Sequence, residues 1–335
     1  MIKTIKKITI IGDGGWGTAL SVHLTKKGYD VTLWGPFPDY VKQMAKTRVN
    51  KKFLPGIRLP RGLKIVDDYT RAIAQSQLIV FAVPSKYALG ILKKIKQGHF
   101  NFSKKIFLSA TKGIETKSLL RMSEMIRQEL GPIRLAVLSG PNIASEVAKG
   151  IPSTAVAAST NINIAKTIQT IFNTNTFRIY TNTDLIGVEL GGSLKNIIAI
   201  ACGICDGLGY GTNTKAAILT RGLAEMATLG QALGTKTKTF FGLSSLGDLV
   251  TTCFSPSSRN RSVGEALGSG QSIRSILSSM KMVAEGVETV KATYQLSRKL
   301  KISMPITTEI YNIIYKGKKP SRAVNDLMNR QLKSE

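Results

Sequence analysis

Ile8-Thr9-Ile10-Ile11-Gly12-Asp13-Gly14-Gly15-Trp16-Gly17-Thr18-Ala19-Leu20 runs a β-branched strand into a glycine-rich turn and then into an apolar helix start. The turn is spaced G-x-G-x-x-G, and each glycine has its own expected task. Gly12 allows the tight turn, Gly14 lets the backbone approach a pyrophosphate, and Gly17 lets the helix pack on the strand. The helix N-terminus then faces the negative charge. A ligand-free glycine turn can be spelled with the same letters. The strand before it and Ala19-Leu20-Ser21-Val22-His23-Leu24 after it favour a dinucleotide site.

Outward from this stretch the first half alternates strand and helix patterns. Strands are expected at Lys7 to Gly12, Tyr29 to Trp34, Leu78 to Val83, Lys105 to Ala110 and Leu135 to Ser139, with helices such as Thr18 to Lys27 and Lys86 to Ile95 between them. That rhythm predicts an α/β fold with a parallel, doubly wound Rossmann sheet. Ala155 to Ser159 and Phe177 to Tyr180 read as further strands at one edge. Beyond Asp184 only helices are expected, at Leu185 to Cys205, Thr214 to Leu233, Asn260 to Leu267, Ser272 to Met280, Gly286 to Leu300, Ile306 to Tyr315 and Arg322 to Asn329. The expected division is a dinucleotide-binding domain over 1–184 and an all-helical substrate and catalytic domain over 185–335.

Composition narrows the function. A chain of 335 residues is expected to hold about two domains. Ile8 to Ile11 is too short for a signal-peptide core. The uncharged stretch Asn196 to Cys205 falls short of the roughly 20 residues of a membrane span. A soluble, cytoplasmic protein without a transmembrane segment is expected. Cys202-Gly203-Ile204-Cys205 spells C-x-x-C, but it lies in an apolar run with no histidine near it, and the chain holds only His23 and His99. Buried hydrophobic thiols are the expected reading, with no metal site. The net charge of +27 comes from lysines scattered along the chain, without arginine blocks or interleaved aromatics. It favours a solvated surface that attracts anionic substrates over specific nucleic-acid binding.

Several residues could carry chemistry. Lys195 stands in the apolar helix pattern Gly187 to Ile200, with Gly191 and Gly192 one turn earlier. An ammonium buried there must be paired or shifted in pKa; otherwise it snorkels to the surface. Lys112 follows a strand end in Ala110-Thr111-Lys112-Gly113, where doubly wound sheets hold their ligands. Ser139-Gly140-Pro141-Asn142 repeats that logic, with Pro141 opening a helix whose N–H groups could meet an anion. Asp248 sits among small and apolar residues in Gly247-Asp248-Leu249, ahead of Thr252. The Arg259 fork, flanked by Ser258 and Asn260, suits a phosphate; a plain helix N-cap with solvated charges is the other reading.

Taken together these segments resemble the bacterial NAD(P)-dependent glycerol-3-phosphate dehydrogenases. The likeness runs from about Ile8 to about Ala323. Its motifs include Arg48-x-Asn50-x-x-Phe53-Leu54-Pro55-Gly56, Val83-Pro84-Ser85, Leu190-Gly191-Gly192-Ser193-Leu194-Lys195-Asn196, Thr220-Arg221-Gly222-Leu223-Ala224-Glu225-Met226, Val283-Ala284-Glu285-Gly286 and Met304-Pro305-Ile306-Thr307. The resemblance implies interconversion of dihydroxyacetone phosphate and sn-glycerol 3-phosphate, supplying phospholipid synthesis. Lys195 would exchange a proton with the C2 oxygen, and a second cation at Lys112 with partial desolvation would tune it. Lys112 and Asp248 would join it in catalysis. Lys112, Gly140, Asn142, Lys195, Asn196, Asp248, Thr252, Ser258, Arg259 and Asn260 would meet substrate. Gly12, Gly14, Gly15, Trp16, Gly17, Lys112, Ala144, Arg259, Val283 and Glu285 would meet NAD or NADP.

Two departures stand out. Pro36, in Trp34-Gly35-Pro36-Phe37-Pro38-Asp39, replaces the basic residue that relatives often offer a 2′-phosphate, and no carboxylate ends that strand for a ribose diol. Preference between NADH and NADPH is left open. Asn142 stands where threonine is frequent, and its amide can still donate. A homodimer is the working expectation for assembly. The rival readings are a β-hydroxyacid dehydrogenase and, in another class, a basic binder of nucleic acid or anionic membrane built on the same scaffold.

Overall fold

A computed structural model describes residues 5–280, 282–332 and 334. The chain divides into two compact units, one running through Lys112 and resuming over Leu120–Glu189, the other made of Gly113–Leu119 and the chain from Leu190 onward. The division falls inside the Leu185–Gly207 helix rather than ahead of it.

Among the described residues the first unit holds ten strands: β1 (Lys7–Ile11), β2 (Asp30–Trp34), β3 (Val49–Asn50), β4 (Leu54–Arg58), β5 (Lys64–Val66), β6 (Leu78–Phe81), β7 (Ile106–Ser109), β8 (Arg134–Ser139), β9 (Ser153–Ala158) and β10 (Phe177–Asn182). Eight of them form one sheet in the order β10-β9-β8-β7-β6-β1-β2-β5, and β3 pairs with β4 in a separate antiparallel ribbon. Alternation along each central strand fills two cores. Ile8, Ile10, Leu78, Val80, Ile106 and Leu108 face one side; Ile11, Ile79, Phe81 and Phe107 face the other. Strands buried on both faces are the mark of a doubly wound sheet.

The sheet is parallel from β5 through β8, and β9 then pairs antiparallel with β8. Between β8 and β9 stands a helix of only 6 residues, Ala144–Lys149. At about 1.5 Å per residue that helix is too short to carry the chain back along a strand that rises about 3.3 Å per residue, so the chain re-enters reversed. β9 and β10 are the edge strands expected from sequence. The β3–β4 ribbon, β5 and the Pro38–Thr47 helix go beyond the elements that periodicity predicts.

The second unit is helical, with Thr212–Ala232, Arg259–Gly268, Ile273–Ser279, Glu285–Lys299, Pro305–Lys316 and Pro320–Met328 close to their expected bounds. Periodicity misses three short elements, Thr237–Phe240, the π-helix Leu243–Gly247 and Asp248–Phe254. One helix is longer than its uncharged stretch Asn196 to Cys205 suggests. Leu185–Gly207 spans 23 residues and is apolar enough for a membrane span, because Lys195 is the lone Lys or Arg within it, but 94% of its apolar window is buried inside the protein. It is a core helix.

Candidate active site

In the first unit β1 ends against Gly12, whose φ of +116° only glycine adopts readily. A Cβ on Gly12 would lie 2.7 Å from the Ala82 carbonyl oxygen, and one on Gly17 would lie 2.0 Å from the Gly12 oxygen. These two glycines are needed for close packing of strand, turn and helix. Gly14 differs: a Cβ there would meet nothing within 4 Å. It is the extended N-cap of the Gly15–Lys26 helix, which has no side-chain cap. Open space above an uncapped helix N-terminus fits a pyrophosphate. Gly15 is demanded by packing, with the Phe53 carbonyl oxygen 2.6 Å from its would-be Cβ. Trp16 sets its ring edge-on to Phe177 at 6.5 Å.

The turn is braced from behind. Asn50 donates to the Asp13 carbonyl at 2.8 Å and to the Thr18 hydroxyl at 2.7 Å, while its own oxygen accepts from Tyr40 and from the Phe53 amide. Asn50 belongs to one of the motifs of the resemblance, but sequence alone assigns it no task. The available signal is its position beside the tight β3–β4 ribbon, whose loop must reach the glycine turn.

β7 and β8 are parallel neighbours, so their carboxyl ends lie together. Lys112 follows one and Gly140 the other, and the Lys112 ammonium donates to the Gly140 carbonyl at 3.3 Å. Gly140 has no room for a side chain, since a Cβ would stand 2.8 Å from Ala155 Cα. The Asn142 amide donates to the Thr154 carbonyl at 2.8 Å, which ties the turn to the edge strand. Ala144 opens the short helix that follows. Lys112, Gly140, Asn142 and the glycine turn therefore all belong to one end of the sheet.

In the second unit Lys195 is buried, with 6% exposure, so it does not snorkel. Its ammonium donates to Asp248 Oδ1 at 2.5 Å and to the Thr252 hydroxyl, and that hydroxyl in turn donates to the Asp248 carbonyl at 2.6 Å. Asp248 and Thr252 lie one turn apart on the Asp248–Phe254 helix, which presents both to one cation. Pairing offsets the cost of burying the ammonium, which would otherwise run to several kcal/mol. The π-helix ahead of Asp248 presses on the lysine helix at Gly191, where a Cβ would fall 1.8 Å from Ser245 Oγ. Gly191 therefore admits neighbouring backbone. Asn196, next to the lysine, is 3% exposed.

The Ser258-Arg259-Asn260 segment proves to be both a cap and a charged group. Ser258 is the N-cap of Arg259–Gly268, its hydroxyl accepting from the Arg261 amide. Asn260 is buried, with its oxygen accepting from the Gly286 amide at 2.9 Å. Arg259 is exposed and donates to the Val283 carbonyl at 2.7 Å, so one edge of its fork is held by the segment that leads to Glu285. Cys202, Cys205 and Cys253 are buried free thiols, and burial pushes Cys205 up to about 12, which leaves it protonated and inert.

Comparison with known proteins meets these features at both ends of the chain. Residues 7–165 match the family model described as NAD-dependent glycerol-3-phosphate dehydrogenase N-terminus, and residues 184–325 match the corresponding C-terminus. NAD(P)+ glycerol-3-phosphate dehydrogenases of Prosthecochloris aestuarii and a Thermoanaerobacter species are each 47% identical to it, covering 98% of this chain and 99% and 98% of theirs. The crystal structure of the Coxiella burnetii glycerol-3-phosphate dehydrogenase aligns with a TM-score of 0.93 at 38% identity, covering 97% of this chain and 99% of that one. A ketopantoate reductase of Ralstonia eutropha aligns with a TM-score of 0.63 at 15% identity, a likeness of fold alone. Matches of this length and identity on both units leave one assignment: the chain belongs to the NAD-dependent glycerol-3-phosphate dehydrogenase family.

Proposed function

We propose that this chain interconverts dihydroxyacetone phosphate and sn-glycerol 3-phosphate with NAD(P)H, supplying glycerol 3-phosphate for phospholipid synthesis, with Lys195 as the acid/base. The observation that carries the reading is the buried Lys195 ammonium held by Asp248 and Thr252. The nicotinamide cofactor, when bound, supplies or accepts the hydride. Lys195 delivers a proton to the C2 oxygen in reduction and takes it back in oxidation. Asp248 and Thr252 fix the ammonium in place and so lower the reorganisation that proton transfer needs. Arg259, with one edge on Val283, would use the rest of its fork for the substrate phosphate, aided by Asn260; Lys112 and Gly140 are proposed as further substrate contacts. The glycine turn would hold the pyrophosphate of a bound dinucleotide at the uncapped N-terminus of the Gly15–Lys26 helix. Three buried reduced thiols support a cytoplasmic place of action, and a homodimer is proposed as the assembly, to be read by light scattering.

Following oxidation of NADH and of NADPH with dihydroxyacetone phosphate tests the reaction, with Lys195→Ala as control. The variant should lose at least about a hundredfold in kcat while binding NADH within a few-fold of the parent. More than a tenth of the parental kcat in Lys195→Ala would remove the lysine from the mechanism.

A further inference from the structure

The residue between the first two glycines of the turn, Asp13, has no part in the reading above. Asp13 is 5% exposed, and its Oδ2 is buried without a hydrogen-bond partner. That oxygen sits where a side chain of Gly35 would be, 2.5 Å from the position of a Cβ on that residue. Gly35 is the first residue after β2, whose end meets the adenosine ribose in dinucleotide-binding sheets and commonly carries the acid that binds the 2′-hydroxyl. Here the strand end carries Trp34, Gly35 and Pro36, and the following Asp39 is exposed in the first turn of the next helix.

From this juxtaposition we infer that Asp13 is the specificity-determining residue for the cofactor: its carboxylate, reaching the end of β2 from the glycine turn, favours a ribose with a free 2′-hydroxyl and disfavours a 2′-phosphate. The two effects have one origin. A 2′-phosphate brings further negative charge up to a poorly solvated carboxylate, whereas a free hydroxyl brings none. The backbone holds the acid there, because the Asp13 carbonyl is anchored by the Thr18 hydroxyl at 3.0 Å and by Asn50. The cation that acts on Asp13 is Lys52, an exposed residue whose ammonium lies 5.1 Å from the Phe53 ring centroid; Tyr40 stands near both. An exposed lysine is screened by solvent and weakens the bias without reversing it.

The inference rests on the dehydrogenase reading, and binding measured without substrate separates the two. Dissociation constants of NADH and NADPH, and of ADP-ribose and its 2′-phosphate, are read at pH 8 by ligand fluorescence or calorimetry for the parent, Asp13→Asn and Asp39→Asn. The parent should bind the unphosphorylated member of each pair at least tenfold more tightly. Asp13→Asn should shrink that ratio about tenfold, chiefly by tighter binding of the phosphorylated member, and Asp39→Asn should leave it unchanged. Equal or tighter binding of the phosphorylated ligands by the parent overturns the inference whatever the variants do. So does an unchanged ratio in Asp13→Asn, or a shift found in Asp39→Asn alone. Binding of neither dinucleotide by the parent overturns the dehydrogenase reading with it.

Discussion

Lys195 and Asp13 are both buried charged residues, and they differ in what surrounds them. The lysine has a carboxylate and a hydroxyl at bonding distance, so its charge is compensated within the protein. Asp13 has an oxygen with no partner, and burial raises its carboxyl from 3.8 to about 6. The stability consequence has a definite sign. Between those two values the folded protein keeps a proton that the unfolded chain has released, so stability contributed by this group is full below 3.8 and lost as pH rises to about 6. A rise of that size corresponds to about 3 kcal/mol. Asp13→Asn, which cannot ionise, should therefore be about as stable as the parent at pH 4 and about 1–3 kcal/mol more stable at pH 8. Urea unfolding of both proteins at the two pH values reads this, and an equal difference at both would remove burial of the charge as its cause. Lys195 is legible in the sequence because a cation inside an apolar helix is conspicuous. Asp13 is not, because a carboxylate in a glycine turn reads as solvated until β2 is seen to end against it.

Elements whose residues repeat with the period of a strand or a helix are legible from the chain alone, and the one that delivers Asp248 is not. Leu243-Ser244-Ser245-Leu246-Gly247 lacks a helical repeat and forms a π-helix whose extra residue per turn sets the register of the Asp248–Phe254 helix after it. Ser245 and Ser244 fit against the lysine helix only because Gly191 offers bare backbone there. Reversal of the sheet at β9 is hidden for a related reason: strand direction depends on what the Ala144–Lys149 helix can span, and no strand pattern records it. Gly191→Ala would place a methyl 1.8 Å from Ser245 Oγ and 2.9 Å from the Ser244 carbonyl oxygen, and backbone cannot rotate away as a side chain can. The π-helix must shift and carry Asp248 with it. The expected result is a loss of about 1–3 kcal/mol in stability and at least about a tenfold fall in kcat, with NADH affinity kept. Gly90→Ala, inside the Ser85–Gln97 helix and with nothing within 4 Å of its would-be Cβ, is the control for alanine at a glycine within a helix. Equal activity of Gly191→Ala and parent would show that the contact does not position the acid.

On the scale of the whole molecule the dominant property is the net charge of +27. Several of the 20 acidic residues are committed to local partners, among them Asp206 with Lys215 and Arg261, Glu189 with Arg121, and Glu309 with Lys318. The excess is carried by exposed lysines such as Lys42, Lys93, Lys94 and Lys299, scattered along the chain. Scattered charge of one sign gives no base readout and no bidentate site, but its field adds over distance and draws anions inward. A triose phosphate and a dinucleotide are both anions, so the same surface serves both encounters. The contribution belongs to association and not to the proton or hydride step, and that assigns it a kinetic signature. The screening length falls from about 30 Å at 0.01 M salt to about 10 Å at 0.1 M. Raising sodium chloride from about 10 to about 300 mM should then lower kcat/KM for dihydroxyacetone phosphate by about tenfold while kcat changes less than about twofold. A kcat/KM that is flat over that range would confine the positive charge to solubility and leave capture of the substrate to Arg259 and its neighbours.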